Sequence, residues 1–178
     1  MKSVIGMMGC FVVFCGTALA VGPSGPAVKA SLADAKGENV GEATLEEVMG
    51  GIKIQVKVSK LPPGVHAFHI HAAGSCEGPD FKSAGGHFNP YGRKHGHKNP
   101  EGAHAGDLPN ITVGADGTGT AEVVATGVTL GPGENSLFHQ GGTALVIHAD
   151  PDDEMTDPAG NAGDRIACGT IKPVVEFH

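Results

Sequence analysis

The chain reads "IKIQVKV" at residues 52–58, an unbroken alternation of aliphatic and polar side chains. Successive side chains of a β-strand point to opposite faces, so the four aliphatic residues share one face and the three polar residues share the other. The stretch therefore predicts a half-buried antiparallel strand, with its aliphatic face in a core and its polar face in water.

Short runs of the same kind recur along the chain. Clusters of Gly, Pro, Asn and Asp separate them, and no stretch keeps the 3.6-residue period of a helix. The runs are "AVKASLAD" (27–34), "EATLEEV" (42–48), "GTAEVVA" (119–125), "TALVIHA" (143–149) and "RIACGTI" (165–171). They predict an all-β sandwich or barrel that forms a single domain over residues 27–175.

Composition and charge exclude several classes of partner. Of the 178 residues 40% are hydrophobic but only 4% are aromatic, which predicts an aliphatic core. The formal net charge is −7, and a nucleic-acid or anionic-membrane partner would instead need a strongly basic surface. We therefore expect neither a nucleic-acid partner nor a stable membrane partner.

The first twenty residues have the pattern of a secretory signal peptide. Lys2 is followed by an apolar run, and "ALA" at 18–20 is a small-residue cleavage signature. We expect cleavage near Val21, residues 21–48 forming a leader and the first strands, and a periplasmic, cell-envelope or extracellular protein. The alternative is an uncleaved anchor, since the uncharged run is close to the roughly 18 residues that can span a bilayer.

Cysteine usage is consistent with export. Cys10 and Cys15 would leave with the signal peptide, so the mature chain keeps Cys76 and Cys168. In an oxidising compartment we expect these two to form a disulfide, although two separate buried thiols are the alternative. Closing a loop of about ninety residues would stabilise the fold by about 4 kcal/mol.

The stretch "HAFHIH" at residues 66–71 concentrates three of the ten histidines. On a strand His69 and His71 point to one face, while Phe68 and Ile70 point into the core. Two imidazoles on one face can bind one metal ion. His66 has the parity of the core side, so we interpret it as a hydrogen-bonded structural histidine.

A long segment from Ala73 to about Pro109 has little strand pattern but many Gly, Pro and His residues. Loops of that length in a compact domain are functional or disordered, and metal ions can order them. Its imidazoles and carboxylate suit zinc, and a later strand ends in another histidine. The candidate ligands are His87, His95, His104, Asp107 and His148. Two metal ions can share this set if one imidazole uses both nitrogens.

Six motifs, in this order, resemble those of the copper/zinc superoxide dismutase family, and most of all its secreted bacterial branch. They span nearly all of residues 50–172 and read "HAFHIH", "GGHFNP", "RKHG", "AHAGDLPN", "LVIHADPDD" and "GNAGDRIACG". The resemblance implies a Greek-key β-sandwich or barrel of immunoglobulin-like architecture with two long functional loops. It also implies an enzyme that converts superoxide to dioxygen and hydrogen peroxide, with copper as the redox metal and zinc as the structural metal.

The resemblance assigns a ligand set to each metal. For copper the set is His69, His71, His87 and His148; for zinc it is His87, His95, His104 and Asp107. His87 bridges the two ions and exchanges a proton during turnover. The family's spacing selects His95 over His97, which we expect in an exposed part of the loop. His139 and His178 lie outside every motif.

The resemblance also implies roles for two further residues. Asp152 matches an aspartate that hydrogen-bonds to one ligand of each metal, here His69 and His95; the alternative is one more solvated acid. Arg165 matches the arginine that guides the anion to copper; the alternative is a surface arginine paired with Asp164. The loop at 149–165 has six acidic residues and no lysine, so steering would need lysines from elsewhere, such as Lys82 or Lys98.

The sequence leaves a second function open, that of an exported copper- and zinc-binding protein with little or no turnover. A missing copper ligand or a missing guiding arginine would favour it, and neither is missing. Superoxide is the expected substrate. A homodimer and a copper-delivery partner are further expectations that no pattern in the sequence specifies.

Overall fold

The computed structural model describes residues 27–173, and within them the chain is an all-β fold. It has nine strands and one short 3-10 turn in the described part. The strands are β1 (Val28–Asp34), β2 (Asn39–Val48), β3 (Gly51–Val58), β4 (Gly64–His66), β5 (Phe68–His71), β6 (Ile111–Val113), β7 (Gly119–Ala125), β8 (Thr143–His148) and β9 (Arg165–Ile171), and the turn is Lys82–Ala84. The fold class is as predicted. The expected signal peptide at 1–20 and His178 lie outside the described residues, and no described helix is long and apolar enough to span a membrane.

All nine strands belong to one antiparallel sheet in the order β4-β6-β7-β3-β2-β1-β9-β8-β5. The strands at its two ends, β4 and β5, are separated along the chain only by Ala67. The amide of Ala67 donates to Asp150 O (2.9 Å), and Ala67 O accepts from the amide of His148 (2.8 Å). Because a single residue joins β4 to β5, the two edges of the sheet lie together and the sheet curls into a nearly closed barrel. The crossovers β5–β6 and β7–β8 join strands that are not neighbours, as in a Greek key.

The strand predicted from "IKIQVKV" is β3, and its two faces differ as expected. Its four aliphatic side chains are at most 5% exposed and lie in the main core. On the outer face Lys53 pairs with Glu46 (2.6 Å) and Gln55 donates to Glu122 (2.6 Å). Exposed pairs of this kind contribute about 0–1 kcal/mol, so burial of the inner face is the larger stabilising effect.

The alternation also predicted β1, β2, β7, β8 and β9 to within a few residues. It did not predict β4, β6 or the 3-10 turn at Lys82–Ala84. Each of these has three residues, too few to show a period in the sequence. They form because the neighbouring chain supplies partners, as Gly64–His66 does for Ile111–Val113.

The predicted disulfide joins Cys76 to Cys168, with the two Cα atoms 5.6 Å apart and a sequence separation of 92. Cys168 lies on β9 and is 1% exposed, in a small cluster with Phe81, Ala84 and Val146. Cys76 lies at the start of the long loop. The bond therefore ties that loop to the sheet.

Candidate metal centre

Strand pairing determines which way the histidines of "HAFHIH" face. Phe68 and Ile70 pack into the main core, and His69 and His71 project to the opposite side of β5. The long loop then returns along the same strand, because isolated antiparallel bridges join His69 to Asp107 and His71 to His87. Loop residues far apart in sequence are in this way aligned with the strand histidines.

Four imidazoles converge where β5, β8 and the long loop meet. Their ligand atoms all lie within 4.8 Å of one another, and the residues are His69, His71, His87 and His148. One nitrogen of each ring is held from outside: His69 Nε2 donates to Asp152 (2.8 Å), and His71 Nδ1 donates to Gly85 O (2.9 Å). The free Nε2 atoms of His71 and His148 lie 3.4 Å apart. The second nitrogens therefore face a common centre.

Two nitrogens of this group, His69 Nδ1 and His87 Nε2, are buried and have no hydrogen-bond partner among the described residues. A buried polar atom left unpaired costs about 1–3 kcal/mol. Imidazole nitrogens suit copper, as they also suit zinc, iron and nickel. The four residues thus fit a copper ion, which would give both orphaned nitrogens a partner. The third unpartnered atom, His139 Nε2, belongs to a ring stacked on Phe88.

A second group shares His87 with the first. Asp107 Oδ1 lies 2.9 Å from Nδ1 of His87, 3.0 Å from Nδ1 of His95 and 3.3 Å from Nδ1 of His104. Asp107 Oδ2 accepts the backbone N–H groups of Gly96 and His104, each at 2.9 Å. Three imidazole nitrogens and one carboxylate oxygen form a donor set typical of tetrahedral zinc. His87 turns Nδ1 to this group and Nε2 to the other.

Asp152 connects the two groups. Its Oδ2 accepts from His69 Nε2 (2.8 Å) and its Oδ1 from His95 Nε2 (2.9 Å). The adjacent acid, Asp153, instead accepts from Thr156 and Asn161 of its own loop. Asp152 thus lies between His69 of the first group and His95 of the second.

Sequence reasoning did not single out Asn110. Its side chain holds the backbone of Asp152 from both sides, since Nδ2 donates to Asp152 O (3.0 Å) and Oδ1 accepts from Asp152 N–H (2.8 Å). Asn110 is the last residue of the motif "AHAGDLPN", so the signal was within a segment already noted. Its partner Asp152 lies 42 positions further along, and no spacing pattern links the two residues.

The protein environment shifts the pKa of His95 in the opposite direction from those of His71, His87 and His148. Burial lowers the pKa of His71 to about 2, of His148 to about 3 and of His87 to about 4. Burial also acts to lower the pKa of His95, but hydrogen bonds to Asp107 and Asp152 outweigh it and raise that pKa to about 9. The pKa values of these two carboxyls are in turn held below their usual range by their histidine partners, against the effect of burial.

These shifts predict how the metal-free protein responds to acid. His71, His87 and His148 stay neutral in the fold below the unfolded pKa of about 6.5, so unfolding takes up protons and stability falls as pH falls. Each of the three adds to this loss between pH 6.5 and its folded pKa. His95 acts in the opposite direction, since its contribution is fully present below pH 6.5 and is lost as pH rises through about 9.

We therefore expect the free energy of urea unfolding of the metal-free, disulfide-bonded protein to drop steeply from pH 6.5 to pH 4. The same protons compete with metal ions for the ring nitrogens, so metal bound at pH 7 should be lost on dialysis at pH 3. A flat stability profile over that window, or full metal retention at pH 3, would contradict this expectation.

Arg165 begins β9 and is fixed by backbone carbonyls of the long loop. Its Nη1 donates to Phe81 O and its Nη2 to Gly85 O, both at 2.7 Å. Gly85 O also accepts from His71 Nδ1, so one carbonyl joins the arginine to the four-imidazole group. The alternative of a surface arginine paired with Asp164 does not describe these contacts.

Lysines lie on one side of Arg165. Lys36, Lys60 and Lys82 line a cleft of about 660 Å³ together with Arg165. Lys82 is also paired with Asp80 (2.7 Å). Lys98, the other lysine considered for steering, pairs with Glu154 at 3.3 Å. The cleft thus has cationic groups next to Arg165, although the loop at 149–165 has no lysine.

The remaining histidines lie outside both groups. His66 is buried between two carbonyls, with Nδ1 2.9 Å from His148 O and Nε2 2.8 Å from Pro62 O, as a structural histidine would be. His97 is exposed. His139 stacks on Phe88 with ring centroids 5.2 Å apart.

Comparisons with known proteins agree with this geometry. The family model described as copper/zinc superoxide dismutase (SODC) matches residues 39–171. "Superoxide dismutase [Cu-Zn] 1" of Aquifex aeolicus is 54% identical over 145 residues, which cover 80% of this chain and 86% of that protein. "Superoxide dismutase [Cu-Zn]" of Caulobacter vibrioides is 43% identical over 139 residues, 76% of this chain and 80% of the relative.

A solved structure has a similar fold. The crystal structure of a SOD-like protein from Bacillus subtilis has a TM-score of 0.78 and 40% sequence identity, over 81% of this chain and 97% of that one. The similarity thus covers nearly the whole of that solved chain and most of the described barrel.

Proposed function

This chain belongs to the copper/zinc superoxide dismutase family, and we propose that it disproportionates superoxide at a two-metal centre built on a shared imidazole. Copper is held by His69, His71, His87 and His148, and zinc by His87, His95, His104 and Asp107. The observation that carries the proposal is the position of His87. Its ring belongs to both groups, with one nitrogen in each.

Two superoxide ions and two protons give one dioxygen and one hydrogen peroxide. Copper supplies a one-electron couple that can both accept and return an electron, whereas zinc has no redox chemistry and serves as a structural ion. His87 Nε2 is the chain's own atom for carrying a proton at this centre. Because burial lowers the pKa of His87 to about 4, a proton placed there is readily given to a more basic oxygen anion.

Arg165 binds and orients the anion. Its guanidinium is half-buried, and the two carbonyls that hold it leave a fixed positive charge beside the four-imidazole group. Such a charge attracts a small anion and raises its local concentration.

The proposal also covers the export of the protein, the extent of its catalytic domain and its partners. Residues 1–20 direct export and are removed, and residues 27–175 form the single catalytic domain. The Cys76–Cys168 disulfide is consistent with an oxidising compartment outside the cytoplasm. A copper-delivery partner loads the protein, and two copies pair as a homodimer.

The proposal is tested by measuring superoxide disproportionation with the purified mature protein. The metal-free form is assayed first, then after zinc, then after copper, with both metals counted in each sample. We expect activity only after copper is added, at about one copper and one zinc per chain. Binding of both metals without turnover would instead identify a metal-binding protein of the same fold, and the assigned function would be wrong.

A further inference from the structure

Asp157 lies outside both ligand groups, in the loop at 149–165, but its carboxylate reaches two residues of the zinc group. Oδ1 accepts the backbone N–H of His95 at 2.8 Å. The same oxygen lies 4.0 Å from Nε2 of His104. One carboxylate from the second loop thus approaches two residues of the first loop that belong to the same group.

The contact with His104 matters because of the ring's second nitrogen. Histidines that bind a metal almost always donate their other N–H to a carboxylate, a carbonyl or water, which fixes the ring and raises its basicity. His95 has Asp152 for this purpose. For His104 Nε2, Asp157 is the only carboxylate within ion-pair distance in the part of the chain that the structure describes.

Asp157 is itself held in place. Lys94 Nζ lies 3.4 Å from its Oδ2. The backbone N–H of His95 and the ammonium of Lys94 thus each contact one of its two oxygens. The two loops also meet through their backbones, since Lys98 N–H donates to Glu154 O (3.0 Å).

We propose that Asp157 is a positioning residue for zinc, which holds the backbone of His95 and the ring of His104 and thereby slows the release of the ion. The inference rests on the zinc site of the proposed function. It gives part of the acidic loop a role in metal retention that is independent of its effect on superoxide.

The test compares zinc release from four variants of the mature, disulfide-bonded protein loaded with zinc and copper. A chromogenic chelator reports the rate of zinc loss, and copper retention is measured in the same samples. Asp157→Ala removes the carboxylate, and Asp157→Asn removes its charge but keeps an oxygen for the His95 N–H. Glu154→Gln is the matched control, because it removes a loop carboxylate paired with Lys98, and Lys94→Ala removes only the lysine beside Asp157.

We expect Asp157→Ala to release zinc about 10–100-fold faster than the wild type, the usual effect of losing an outer partner of a metal ligand. Asp157→Asn and Lys94→Ala should be intermediate, and the Glu154→Gln control should stay close to the wild type. Copper should be retained by all four. With cobalt(II) in place of zinc, the visible bands should change in both Asp157 variants only.

Wild-type zinc release in Asp157→Ala would overturn the inference, and so would equal loss of copper and zinc, which indicates general loosening of the loop. If the wild-type protein takes up no zinc at the His95 and His104 group, the proposed function fails instead. The two failures are therefore distinguishable.

Discussion

Replacing His148 by alanine should abolish superoxide disproportionation. His148 ends β8 and brings one of the four imidazoles to the copper group, with its Nε2 3.4 Å from that of His71. No other histidine is positioned to replace it in the described part of the chain, because His66 is engaged by two carbonyls. Loss of a residue that only hydrogen-bonds to a metal ligand lowers activity by about 10–100-fold. Loss of a ligand itself should lower it further.

The measurement is the rate of superoxide loss, with the copper content of the same sample. His139→Ala is the matched control, since it makes the same substitution at a histidine that belongs to neither group. We expect the control to keep its copper and its activity, and His69→Ala to behave like His148→Ala. Full activity in His148→Ala, with copper loaded, would count against the ligand assignment.

The second large effect is on stability. Replacing both Cys76 and Cys168 by serine should lower the free energy of unfolding by about 4 kcal/mol, because a disulfide that closes a loop of this length restricts the unfolded chain strongly. The loop also carries Phe81 and Gly85, whose carbonyls hold Arg165. Activity should therefore fall as well, through a less ordered arginine.

Urea unfolding of the metal-free double variant, compared with the oxidised wild type, measures this directly. The wild type treated with a reductant is the control and should match the serine variant. A difference below about 1 kcal/mol between variant and oxidised wild type would show that the bond adds little to the fold.

Local sequence patterns predicted most of the strands of the fold. The alternation in "IKIQVKV" predicted which face of β3 is buried, because a strand's period of two depends only on backbone geometry. The same reasoning put His69 and His71 on one face of β5. It could not predict β6, where three residues pair with β4 only because barrel closure brings the two together.

The metal groups were predicted by motif resemblance, and the contacts between the two loops were not predicted at all. Asn110 hydrogen-bonds to the backbone of Asp152, 42 positions away. Asp157 accepts a hydrogen bond from the backbone of His95, 62 positions away. No spacing rule covers pairs of that kind, because they depend on how two irregular loops fold over each other. Such contacts are visible only in three dimensions.

The contacts of the acidic loop at 149–165 could not be predicted from the sequence either. From sequence alone its six acids predicted repulsion of an anionic substrate, to be offset by lysines elsewhere. In the structure Asp152, Asp153 and Asp157 each accept hydrogen bonds from the loops themselves. Much of the loop's charge is therefore used to hold the zinc group and the loop in shape.

The proposed function requires two different metals to share the ring of His87. Anomalous diffraction at the copper and zinc absorption edges, on crystals of the metal-loaded mature protein, locates each metal separately. We expect a copper signal among His69, His71, His87 and His148, and a separate zinc signal beside His95, His104 and Asp107. Both metals in one group, or a signal that does not adjoin His87, would contradict it.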